Sequence, residues 1–102
     1  MGNLFPKHTG LPFVVWVLIR DRARHDVRVK VSLGSKGQPG DLISVGIRPA
    51  VHVIEGDGAM SPYHLGLLTE WIELNRETIL QYWNGEFDTV DLAAAIRPVG
   101  VR

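Results

Sequence analysis

Six potentially cationic side chains, Arg20, Arg22, Arg24, His25, Arg28 and Lys30, fall within eleven consecutive positions. Phosphate recognition needs several fixed cations close together, and a guanidinium group offers a planar fork of donors for it. A nucleic acid is the partner that such a cluster would take. Asp21 and Asp26 dilute it, and no Tyr or Phe is interleaved as on a base-stacking surface, although Trp16 stands nearby. The same charges would equally suit a solvated hairpin edge, where they prevent strands from pairing edge to edge. Imidazole titrates near neutrality, so His25 beside Asp26 could serve a weak ribonuclease as general base. Neighbours in a strand point to opposite faces, which argues against direct pairing of the two.

His8, His52 and His64 complete the histidines, at none of the short spacings that mark a metal site. No phosphate loop, nucleophile elbow or dinucleotide fingerprint is present. The sequence therefore names no catalytic residue, cofactor or metal, and favours a binding role over an enzymatic one.

The elements that position these residues follow from periodicity. Pro6, Gly10 and Pro12 make residues 1–12 an irregular arm. Phe13–Ile19 is an apolar run of Val, Trp and Ile, the types that suit a buried strand. Beyond the charged turn, Val27, Val29 and Val31 alternate with Arg28, Lys30 and Ser32, which gives a strand with one apolar and one basic face. A connection this short makes the pair an antiparallel hairpin. After the glycine-rich stretch 34–40, Ile43, Val45 and Ile47 mark a third strand, and Val51–Ile54 a fourth, closed by Glu55-Gly56-Asp57-Gly58.

From Ser61 the period changes. Ser61 suits an N-cap and Pro62 the first helical position, and Leu65, Leu68, Ile72, Ile79 and Trp83 form one apolar stripe up to the Asn84-Gly85 stop. Asp88 or Thr89 caps a shorter helix that ends before Pro98. The expectation is a single α+β domain over 1–102, with a four-stranded antiparallel sheet of two hairpins followed by a long and a short helix. Asn75 and Arg76 put polar groups in and beside the buried stripe, where they need partners. Tyr63, Leu67 and Leu74 form a second apolar strip, to be covered by the arm, by the second helix, or by another chain.

Zero net charge hides a division. Residues 1–50 carry eight basic and three acidic groups, and 51–102 carry three basic and eight acidic ones. Such halves either cancel against each other or steer a charged partner to one side. No cysteine is present, which fits a reducing compartment, and the longest apolar run of seven residues is far below the roughly 20 of a membrane span. With no charged-then-apolar leader at its start, the chain reads as cytoplasmic.

The phrases Trp71-Ile72-Glu73-Leu74-Asn75-Arg76-Glu77 and Tyr82-Trp83-Asn84-Gly85-Glu86-Phe87-Asp88-Thr89, with the hairpin Arg22–Ser32, resemble small bacterial proteins of unknown function. Some relatives of that kind are encoded in toxin–antitoxin-like pairs. The resemblance implies a protein-interaction or accessory module whose partner is another small protein or itself as a homodimer. A nucleic-acid-binding role for the basic turn is the alternative.

Overall fold

The computed structural model describes residues 2–20, 24–32, 42–55 and 60–100. Among the described residues five strands, β1 (Gly2–Leu4), β2 (Val14–Val17), β3 (Arg28–Ser32), β4 (Leu42–Gly46) and β5 (His52–Glu55), form one antiparallel meander in chain order. The helices of the described residues are α1 (Pro6–Thr9), α2 (Pro62–Trp83) and α3 (Thr89–Ala95). The class is α+β, with five strands where the sequence suggests four. The expected loop over 34–40, and the turn residues Gly56, Asp57 and Gly58, lie outside the described residues.

The register explains the alternation. Val15 faces Val31 and Val17 faces Val29 across β2–β3, and Val31 and Val29 in turn face Ile43 and Val45 on β4. All six are buried on the face that α2 covers with Leu68, Trp71, Ile72 and Ile79. Each such side chain contributes roughly 1.5–3 kcal/mol relative to an exposed position. Helix α2 begins where expected: the Ser61 hydroxyl accepts the His64 amide at 3.1 Å, and Pro62 occupies the first turn. It closes at Asn84, followed by Gly85 at φ +81°. Helix α3 starts on a reciprocal cap, the Asp91 amide donating to the Asp88 carboxylate at 2.8 Å and the Asp88 amide to that of Asp91 at 3.1 Å.

The arm is the main departure from expectation. Gly2–Leu4 pairs with Val15–Val17 and extends the sheet, and Leu4 is buried in the core. A three-residue strand is too short to show a period of two, and the flanking prolines read as loop. A Cβ on Gly2 would lie 2.7 Å from Cδ2 of Leu92, so the missing side chain lets α3 close down on β1. Gly10, at φ +77°, ends α1, and the adjoining Thr9 carbonyl accepts the Val99 amide at 2.7 Å. The arm thereby holds the C-terminal segment.

Asn75 holds the same segment from the other side. Its amide nitrogen donates to the carbonyls of Trp71 at 3.0 Å and Arg97 at 2.9 Å, and its oxygen accepts the Arg97 amide at 2.7 Å. Asn75→Ala should lower unfolding stability by about 2 kcal/mol in urea titration, since the Arg97 backbone loses both partners. Amide exchange at Arg97 should accelerate more than exchange in β2–β4.

Candidate functional site

The chain leaving β2 is tied to the end of α2. The Arg20 amide donates to the Trp83 carbonyl at 2.8 Å, which puts Arg20 beside the last turn of the helix. His25 lies against the same residue, its ring centroid 5.8 Å from that of Trp83. Opposite them, the Arg48 guanidinium grips the Asp26 carboxylate as a fork, with Nε at 3.0 and 2.8 Å from the two oxygens and Nη2 at 2.7 Å. Arg20, Arg24, His25, Asp26, Arg48 and Trp83 together line a cleft of about 420 Å³.

Among the described residues the cleft is thus lined by three guanidinium groups, one of which, Arg48, is bound to the carboxylate of Asp26. The bound Arg48 guanidinium, with help from the Val27 amide, holds the Asp26 carboxyl down at about 2, and Asp26 in turn raises the Arg48 pKa. Arg20 and Arg24 are exposed, and no side-chain acceptor among the described residues engages either. Their position has a structural logic as well. Helix α2 carries no basic residue in its last turn, and cations near a helix C-terminus interact favourably with its dipole.

His25 and Asp26 do not form a catalytic pair. The imidazole Nδ1 donates to the Asp26 backbone carbonyl at 2.8 Å, while the carboxylate is engaged by Arg48. Among the described residues no group of three His, Asp or Glu gathers to hold a metal. His8 accepts the Phe5 amide, His52 donates to the Ala50 carbonyl, and His64 packs edge-on against Phe13.

The rest of the basic stretch lies elsewhere. Arg28 and Lys30 project from β3 on the face opposite its buried valines. Lys30 sits across from Trp16 on β2 and Ser44 on β4, with Asn3 on the far side of Trp16. Arg28 sits across from Gly46, itself opposite His52, whose ring occupies the space where a Gly46 side chain would go. None of these residues belongs to the core cluster under α2. The basic stretch therefore divides between a cleft (Arg20, Arg24, His25) and an outer sheet face (Arg28, Lys30). Arg22 lies outside the described residues.

The remaining candidates fall into structural roles or onto separate surfaces. Arg76 donates to the Ile47 carbonyl at 2.9 Å and pairs with Glu73, fastening α2 to the end of β4. Leu67 packs against the core beside the arm, while Tyr63 (68%) and Leu74 (45%) are exposed. The Arg48–Asp26 and Arg76–Glu73 pairs each join residues of the same half of the chain, so neither cancels the charge division. Arg48 and Trp83 enter the cleft unannounced by sequence. Asp26 and Arg48 are 22 residues apart, and Trp83 reads as the end of a buried stripe.

No family model, curated protein or solved structure matches the chain.

The Asp26–Arg48 fork makes a directional prediction. Asp26 titrates at about 2 when folded against 3.8 unperturbed, so its contribution is complete above the unperturbed value and is lost as pH falls from there through about 2. Asp26→Asn should lower the thermal midpoint at pH 7 and shrink its fall between pH 4 and 2. An unchanged acid limb would show that the fork adds no stability.

Proposed function

We propose that the chain is a nucleic-acid-binding module whose contact centre is the cleft at the end of α2, with Arg20 and Arg24, the arginines not engaged by Asp26, as its phosphate contacts. The observation that supports this reading is the excess of guanidinium groups among the described residues that line it, three against the carboxylate of Asp26. Phosphates bound by fixed arginines release condensed counterions, so binding would be strong at low salt and fall steeply as salt rises. The two free contacts on a single strand correspond to a salt slope of about −1.4 and roughly a 7-fold loss between 50 and 200 mM. The reading includes a cytoplasmic location, where RNA is at hand. No helix among the described residues is long and apolar enough to cross a membrane.

Fluorescence anisotropy with a labelled ten-nucleotide strand tests the proposal. Arg20→Ala with Arg24→Ala should weaken binding at 50 mM salt and flatten the salt slope by about 1.4. A slope unchanged in the double variant, or no binding by the parent chain, refutes the reading.

A second reading, a protein-interaction module that includes self-association, draws on Tyr63. This ring stands exposed at the rim of a groove lined by Pro6, Leu11, Pro12, Leu67 and Val99. Sedimentation velocity should then show a dimer that Tyr63→Lys returns to monomer. A parent chain that stays monomeric at high micromolar concentration removes the homodimer.

A further inference from the structure

The outer face of the sheet carries a second set of groups that the cleft does not use. Trp16, Lys30 and the buried Ser44 form a row across β2, β3 and β4, which Asn3 extends on β1 and Glu55 on β5. Arg28 lies two residues from Lys30 on the same side of β3, a separation of about 7 Å along the strand. Trp16, Arg28 and Lys30 are all half-buried, with solvent access remaining to each. Arg28 Nε is shut away without an acceptor among the described residues, which leaves the terminal nitrogens as the donors open to a ligand.

Chain order connects this face to the cleft. Arg28 opens β3, and Asp26, His25 and Arg24 just before it line the cleft, so the described cations pass from the outer sheet face to the end of the sheet at the helix terminus. An indole set in such a row is a stacking platform of the kind that unpaired bases use, because every base offers a π-face. Bases inside a duplex are already stacked on one another and cannot use it. Trp83 cannot take this role: it is only 3% exposed and has the His25 ring against it.

We infer that the ligand of this protein is a single strand, which runs from the cleft onto the outer sheet face and stacks a base on Trp16 between Lys30 and Asn3. This rests on the nucleic-acid reading above and adds the strand state, the path and the stacking residue. Phosphates go to Arg20, Arg24, Arg28 and Lys30, whereas base contact is left to the indole. Duplexes have the phosphates for the cleft but nothing to offer Trp16.

The test compares four labelled ten-mers, a uridine RNA, a thymidine DNA, an abasic strand of equal charge, and a DNA duplex. The parent chain should prefer either base-bearing single strand to both the abasic strand and the duplex, and the RNA and DNA arms identify which sugar it favours. Trp16→Ala should weaken the base-bearing strands by about 5- to 150-fold and leave the abasic strand unaffected, and Trp16→Phe should restore most of the loss. Equal binding of all four probes, or base-bearing affinity unchanged in Trp16→Ala, overturns the inference while leaving the basic cleft in place. Failure of the parent chain to bind any probe overturns both. Matching thermal midpoints for Trp16→Phe and the parent keep the comparison free of folding effects.

Discussion

Helix α2 can cover only one face of the sheet, and most of the molecule's properties descend from that. Trp71, Ile72 and Ile79 draw Val15, Val17, Val29, Val31, Ile43 and Val45 to a common side. Because successive strand residues alternate, the same packing forces Trp16, Arg28, Lys30 and His52 to the other side. A one-residue slip of β3 would bury Arg28 and Lys30 under the helix, so the apolar face fixes the register and the basic face inherits its position. The outer row is thus a consequence of core packing before it is anything else.

Two polar clamps keep the helical layer where the core needs it. Arg76 reaches the Ile47 carbonyl at the end of β4, and the Arg20 amide reaches the Trp83 carbonyl at the end of α2. The second clamp matters most for the cleft, because it joins β2 directly to the helix end around which the arginines collect. Asp26 and Arg48 complete the enclosure by joining the start of β3 to the turn after β4. The wall is therefore built from three separate strand ends and a helix terminus, rather than from one loop.

Much of this was legible from local signals. Ser61-Pro62, the apolar stripe and Asn84-Gly85 bound α2 because caps and periods act over a few residues, and Asp88 does the same for α3. Valine alternation likewise located β3. What stayed hidden depends on distant partners. Asn75 is satisfied by Arg97 and Arg76 by Ile47, 22 and 29 residues away, so their polarity could be noticed but not explained. The cluster from Arg20 to Lys30 was visible as a cluster, yet its division into cleft and sheet face turns on where β3 starts. That boundary is set by pairing with β4. The arm's strand β1 escaped notice because its pairing with β2, not its composition, makes it a strand.

Net neutrality is a weak objection to an anionic ligand in a molecule arranged this way. Glu73 and Glu77 are exposed on α2, whose apolar stripe faces the sheet, while Arg28 and Lys30 leave the sheet on its opposite face. The sheet and the helix layer lie between the two sets. Stacked layers of this kind stand about 10 Å apart, and side chains add to that separation. At 0.1 M ionic strength the Debye length is itself only about 10 Å, so exposed acidic groups on the helical side are largely screened from a ligand approaching the sheet. Such a ligand meets the local charge rather than the total. Among the described residues the carboxylate that lines the cleft, Asp26, is already committed to Arg48, which leaves Arg20 and Arg24 to set the potential at its mouth.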